Sequence, residues 1–430
     1  YIIFIFLLLQ NILLLSSTFF RNNLFTLCHL IYTDTFYMKR KWIRWVSWIL
    51  LTPIILFVIL MVLLYIPPVQ NLLRREVTAY ASKATGMQIQ VERIDLRFPL
   101  NLLVRGVEVI QQPDTLLSLE SLNVRVQAWP LIKGKVEVDE VTLSRVAVNS
   151  ANLMEGMKIK GVLGRFFLQS HGVDLSNEIA IINQAELSDT HVQLLMNDTT
   201  TTPKDTTASA PVNWKVDLHQ LKLKNVSFSM QLPVDSMRMA AHIGEAAIDD
   251  AQADLKNQFY GLKKFLLSGT SASYDTGTAQ PIEGFDASHI AVRDVRIALD
   301  SLLYKGRDMN AVIREFTMNE RSGLSVVSLT GRAYSNDSII SVPGLKLKTP
   351  HSEIDLSAHT YWELVNIPTT GRLSANLNAY IGKEDVMLFA GGLPDSFKEA
   401  YPFRPLVIRA GTDGNLKQMQ ISRFTVDLPG

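Results

Sequence analysis

The side chains best suited to chemistry are scattered along this chain. Its eight histidines are His29, His171, His191, His219, His242, His289, His351 and His359, and no two lie three to five residues apart on a helix, as a zinc-binding helix would require. Glycine-rich phosphate loops and nucleophile elbows are absent. The single cysteine, Cys28, excludes a disulfide framework and a cysteine-based metal site. Asp217, His219 and His289 fall in equivalent positions of a repeated pattern, but polar residues on the outward face of a strand account for them. Asp249, Asp250, Asp294 and Glu315 alternate with apolar neighbours as a solvated face does. The expectation is a protein that is not an enzyme, with no catalytic residue, cofactor or metal.

What the chain does offer is apolar and periodic. Two apolar residues one apart, a gap of two, then another such pair recur at Val136, Val138, Val141, Leu143, Val146 and Val148. The spacing returns at Leu218, Leu221, Leu223, Val226 and Phe228, at Ile290, Val292, Val295, Ile297 and Leu299, and at Leu416, Met419, Ile421, Phe424 and Val426. Weaker copies run from Ile182 to Leu194 and from Ile243 to Leu255. Alternation puts apolar side chains on one face of a strand, and an inserted residue restores that face only if the strand bulges there. The unit being repeated is therefore a curved strand with one apolar face. Candidate lining residues for an apolar ligand are Val136, Val138, Val141, Leu143, Leu221, Leu223, Val226, Phe228, Ile290, Val292, Val295 and Ile297.

These strands need a frame. At 430 residues the chain exceeds one ordinary core, which points to several domains or a repeat array. Lys and Arg number 42 against 41 Asp and Glu, so nucleic acid is not an expected partner. Val46 to Ile66 is almost unbroken apolar sequence, long enough for the roughly 20 residues that cross a bilayer. Trp42, Trp45, Trp48 and Tyr65 flank it as interfacial anchors, and Lys39, Arg40, Lys41 and Arg44 place the preceding side in the cytoplasm. Ile66-Pro67-Pro68-Val69 offers no small-residue cleavage site, which favours an uncleaved anchor over a signal peptide. Residues 1–37 form an apolar leader, and Met38 beside the basic cluster is the expected natural start.

Along the body, Val69 to Ala84 carries helical spacing and ends at Gly86, as a helix against the membrane or closing the sheet. Strands follow from Met87, with a turn at Trp129-Pro130. Short helices are expected around Gly164 to Gln169, Lys256 to Leu267 and Glu384 to Ala400. Asn197 to Pro211, rich in threonine and proline, is expected to be a disordered linker. The resulting division is a leader (1–37), a basic flank and anchor (38–68), an N-terminal α/β region (69–196), the linker (197–211) and a β-repeat groove (212–430). The fold class expected is mainly β: an elongated, curved repeat sheet with a few short helices, preceded by a transmembrane helix. About 20 strands at about 4.8 Å would extend on the order of 95 Å. The last repeat reaches Gly430 without a polar cap, so more chain is expected beyond it.

With these parts placed, the chain resembles the N-terminal portion of the TamB and AsmA-like family of bacterial envelope proteins. The resemblance rests on the anchor, the Ile66-Pro67-Pro68-Val69-Gln70 exit into a helix ending at Gly86, and the paired strands Leu102 to Val109 and Leu122 to Val126. It rests also on Leu329-Thr330-Gly331-Arg332 leading to Val342-Pro343-Gly344-Leu345-Lys346-Leu347, and on Gly392-Leu393-Pro394, Ala400-Tyr401-Pro402 and Pro405-Leu406. It implies an inner-membrane anchor, a periplasmic β-groove, and a role in phospholipid transport or outer-membrane protein assembly. A TamA-like barrel would be the partner, met through a C-terminal region outside this sequence. The expected function is thus an anchored apolar groove for phospholipid or acyl chains. The alternative is an envelope scaffold or adhesin built of closed β-sandwiches.

Overall fold

The computed structural model describes residues 48, 51, 52, 55, 59 and 62, then 65–97, 100–111, 114–127, 137–154, 157–174, 177–196, 213–233, 236–367, 369–391, 393–415 and 417–427. The leader, the Trp129-Pro130 turn, the 197–211 linker and Val136 lie outside these residues, as does most of the expected span Val46 to Ile66. Among the described residues no helix is long and apolar enough to cross a membrane.

The protein is mainly β, one open mixed sheet with a few short helices. Helix α1 (Pro67–Thr85) precedes strands β1 (Gln88–Arg97), β2 (Asn101–Gln111), β3 (Asp114–Val126), β4 (Val138–Met154), β5 (Met157–Asp174) and β6 (Ile179–Met196). Then come β7 (Lys215–Leu232), β8 (Met237–Asp254), β9 (Phe259–Asp275), β10 (His289–Lys305), β11 (Asp308–Glu320), β12 (Ser325–Val326), β13 (Ser328–Ser335), β14 (Ile339–Lys348) and β15 (Glu353–Tyr361). Helix α2 (Trp362–Asn366), β16 (Leu373–Ile381), α3 (Lys383–Phe389), α4 (Asp395–Ala400), β17 (Leu406–Gly414) and β18 (Met419–Asp427) complete the order. The described pairings are antiparallel except β6 with β7, which run parallel from Ile179 opposite Lys215 to Leu195 opposite Gln231. The chain forms two compact units that divide within β4 and β5: residues 1–148 with 167–174, and residues 149–166 with 175–430.

In the first unit, α1 begins at Pro67, where a missing N–H costs nothing, and ends at Gly86, whose left-handed φ of 69° allows its N–H to reach Ser82 O at 3.0 Å. The helix covers the free edge of β1. Gln70 Nε2 donates to Leu96 O at 3.1 Å, Arg74 Nη1 to Val91 O and Glu92 O at 3.2 and 3.0 Å, and Ile89 N to Ser82 Oγ at 3.0 Å. An open strand edge is thereby satisfied by side chains. Beneath it Ile94, Leu96 and Leu102 form a small buried cluster with Tyr65, Val91 and Val104 against it.

Two expected helices are strands. Gly164 to Gln169 lies within β5. Gly164 is there because a Cβ would sit 2.7 Å from Asp189 O on the neighbouring strand. Lys256 to Leu267 is a tight turn followed by β9. Asp254 accepts from Asn257 N at 3.0 Å to close that turn, and Leu262, Phe265 and Leu267 follow the spacing of a bulged strand. The helices expected at Val69 to Ala84 and Glu384 to Ala400 are present, the latter as α3 and α4.

Candidate functional site

The gaps in the apolar spacing are fold lines. In the second unit, β7 pairs with β8 as Lys224 with Glu245 and then Val226 with Ile243, leaving Asn225 opposite Gly244 outside the ladder. Asp189 lies beside Asn225 in β6, and the line continues through Gly269 in β9 and Asp294 in β10. Asp189, Asn225, Gly269 and Asp294 have φ between 50° and 58°. This left-handed region is most accessible to Gly, Asn and Asp. Both strands of each pair bulge together, so register survives on either side. Asn225 Nδ2 donates to Asp189 Oδ1 at 2.7 Å along the line.

The sheet closes toward its apolar face here. Thr190, Ala246, Thr270 and Val295, on that face beside the line, are only 6–8 % exposed, whereas Asp189, Asn225 and Asp294 are exposed. The first unit has its own line through Glu92, Gly106 (φ 58°), Glu120 and Arg145 (φ 45°), with Arg145 bound to Glu120. That hydrogen bond holds the Glu120 carboxyl below its usual range and raises the Arg145 guanidinium.

The registers also show which apolar residues adjoin. In the second unit Ala185, Leu221, Ile248, Phe265, Leu299 and Ile313 are successive partners across β6 to β11. The same row continues through Gly331, Leu345, Leu356, Leu377, Ala410 and Phe424 across β13 to β18. Residues directly opposite share a face. Eleven interstrand steps of about 4.8 Å make this stripe on the order of 53 Å long. From Leu221 to Ala410 its residues are half-buried, and Phe424 is exposed. No second layer covers them among the described residues: the largest fully buried side chains are Val126 and Ser170, where a closed core would bury Phe and Leu.

The predicted lining residues fall into this frame. Leu221, Leu223, Val226, Phe228, Ile290, Val292, Val295 and Ile297 share the apolar face of the second unit, all half-buried except Phe228, which is exposed, and Val295, which is buried at the fold line. Val138, Val141 and Leu143 lie on the matching face of β4 in the first unit, opposite Val126, Val124 and Leu122.

The polar candidates serve structure. His219 lies outward on a second fold line, where its Nδ1 is 3.1 Å from Asp250 and Lys263 Nζ is 3.0 Å from the same carboxylate. The His219 hydrogen bond, with that of Lys263, holds the Asp250 carboxyl down. This self-neutralised ladder borders an outer cavity of about 740 Å³ that Asp217 also lines. His289, expected outward in solvent, is instead buried, because the 276–288 loop folds over it. Its Nδ1 is 2.8 Å from Asp286, which also accepts from Ser288 N at 2.9 Å and Ile282 N at 3.2 Å. Among the described residues no group of three or more His, Cys, Asp or Glu could hold a metal ion. No protein-family model and no curated protein matches this chain.

Proposed function

We propose that this chain is an anchored, elongated envelope protein whose apolar β-groove carries the acyl chains of phospholipids across the periplasm or assists outer-membrane protein assembly. The observation that carries the reading is the uncovered apolar row running from Ala185 to Phe424 through successive strand partners. Keeping a methylene from water is worth about 0.8 kcal/mol, or about 13 kcal/mol for a sixteen-carbon chain, so a continuous apolar lining removes the main barrier to crossing an aqueous gap. Movement along it needs no chemistry, and direction would be set elsewhere. The apolar Val46 to Ile66 segment with its basic flank supports an inner-membrane anchor, and the resemblance to TamB and AsmA-like proteins supports a periplasmic body with a TamA-like barrel partner.

The test places aspartate at Leu221 and Leu299, which are half-buried on the row, and spares Val295, where a charge would be buried and disrupt folding. Phospholipid co-purifying with the intact chain, and photo-crosslinking of an acyl probe to the apolar face, should then be largely lost. Unchanged lipid capture would refute the conduit. Wild-type protein free of lipid, with no acyl crosslinks, would favour a purely structural envelope scaffold built on the open sheet.

A further inference from the structure

Helix α1 has two faces, and the first unit uses one of them. Gln70, Arg74 and Ser82 bond to the edge of β1 from Leu96 back to Ile89, so the helix lies along that strand for most of its length. The opposite sector carries Leu72, Arg75, Glu76, Ala79, Tyr80 and Lys83, all exposed, with Leu72 at 57 % and Tyr80 at 51 %. At 3.6 residues per turn these six positions fall within one half of the helix circumference. Two cations whose stems flank apolar and aromatic side chains, with a single anion, suit a helix lying in the polar layer of a bilayer.

The join to the preceding segment says which surface this face meets. The apolar stretch Val46 to Ile66 ends immediately before Pro67, where α1 begins, so no linker separates them. Tyr65, near the end of that stretch, packs against the buried cluster of Ile94, Leu96 and Leu102. Val69 N and Gln70 N both bond to Ile66 O, at 3.0 and 3.2 Å. The exit from the apolar stretch, α1 and β1 are therefore one packed piece, and α1 starts at the surface through which the stretch leaves.

Resting on the anchor reading above, we propose that the outer face of α1 lies flat on a phospholipid bilayer, with Leu72, Ala79 and Tyr80 in the head-group layer and Arg75 and Lys83 reaching lipid phosphates. The posture of the first unit follows. Because α1 covers the edge strand, β1, β2, β3 and β4 then stack away from the bilayer at about 4.8 Å per strand. The apolar cluster under β1 is held about one helix diameter, ~10 Å, from lipid. An upright α1 would put Tyr80 about 12 Å further from the surface than Leu72, eight residues earlier, at about 1.5 Å per residue. Its exposed ring would then stand in water, and the strands would stack sideways along the bilayer instead of rising from it.

The test uses the full chain with its sole cysteine, Cys28, replaced by serine, reconstituted in phosphatidylcholine nanodiscs. Nitroxide labels are placed singly through Leu72→Cys, Ala79→Cys and Lys305→Cys, all exposed positions, the last being a solvent control in β10. Hydrogen exchange in β1 matching the unlabelled chain identifies labelled protein that is folded. Collision rates with oxygen, which concentrates in lipid, should exceed those with a water-soluble nickel chelate at 72 and 79, and the order should reverse at 305. Lipid-like collisions at 72 with water-like collisions at 79 would show an upright helix and overturn the proposal. Water-like collisions at both, in chains retained by the nanodiscs, would overturn it too while leaving the anchor standing. Chains that the nanodiscs do not retain would instead remove the anchor reading itself.

Discussion

Asn225 tests whether the fold line is built from backbone conformation. It adopts φ 53° opposite Gly244 and donates to Asp189 at 2.7 Å. Asn225→Val places a β-branched residue where the left-handed region costs an L-residue about 1–2 kcal/mol, and removes an exposed hydrogen bond worth about 1 kcal/mol. Better strand propensity returns only a few tenths, so a net loss of about 2–3 kcal/mol is expected. Asn225→Gly loses the same hydrogen bond and adds about 0.5–1 kcal/mol of chain entropy, but it is relieved of the conformational cost, for a net loss near 1 kcal/mol. Urea unfolding of both variants, with slopes compared to ensure the same surface is exposed, should separate them by about 1–2 kcal/mol. Valine no worse than glycine would refute the left-handed fold line, because the two substitutions differ chiefly in tolerance of that conformation.

Other consequences follow from the strand ends and from the β1 edge. Asp286 is held below the usual carboxylate range first by the Ser288 N–H, against burial, with help from His289 and Ile282. Burial pushes the Glu320 carboxyl up, but donors from Ser322 and the Ala291 N–H outweigh it and leave it lowered. Groups with depressed folded values stabilise above the unfolded carboxylate pKa and lose that contribution as pH falls through the folded one. Thermal midpoints should therefore drop on acidification below the carboxylate range, and Asp286→Asn/Glu320→Gln should make that limb shallower; an identical limb would contradict the assignment. The loop that Asp286 holds docks α3 through Phe285 N to Leu388 O at 2.7 Å and a Phe285 to Phe389 ring contact of 5.3 Å, so acid should also expose α3. In the first unit, Arg74→Ala leaves the carbonyls of Val91 and Glu92 on the β1 edge without their donor. A loss of about 1–2 kcal/mol with faster hydrogen exchange in β1 is expected, and unchanged exchange would show that α1 does not hold that edge.

The bulges were legible because parity cannot be restored across a gap of two without one. A finer signal was also present: Gly106, Asp189, Asn225, Gly269 and Asp294 occupy the second gap position, and these residue types tolerate positive φ. Arg145 is the exception, compensated by its bond to Glu120. The tight turn within Lys256 to Leu267 was not legible, because it depends on Asp254 accepting from Asn257 just before the chain enters β9. Burial of His289 was not legible, because it depends on a loop returning over its own strand. The parallel pairing of β6 with β7 left one trace, the long stretch between Met196 and Lys215, since parallel neighbours need a crossover of a dozen or more residues.

Why the sheet folds along rows instead of twisting freely follows from the same parity. In an unbroken strand, Val226 and Phe228 would stand on the face opposite Leu221 and Leu223, and the apolar stripe would end at every gap. The left-handed residue turns the later pair back and carries Asn225 itself to the outside, so polarity is expelled from the face at the point where it must bend. Because Asp189, Asn225, Gly269 and Asp294 occupy one line, neighbouring strands change direction together and Leu223, Ala246, Leu267 and Ile297 remain partners beside it. A bulge in one strand alone would shift register and set a polar side chain into the row. The fold line and the continuous apolar face are thus one structural device, and substitutions that damage the line should damage apolar binding even where they touch no lining residue.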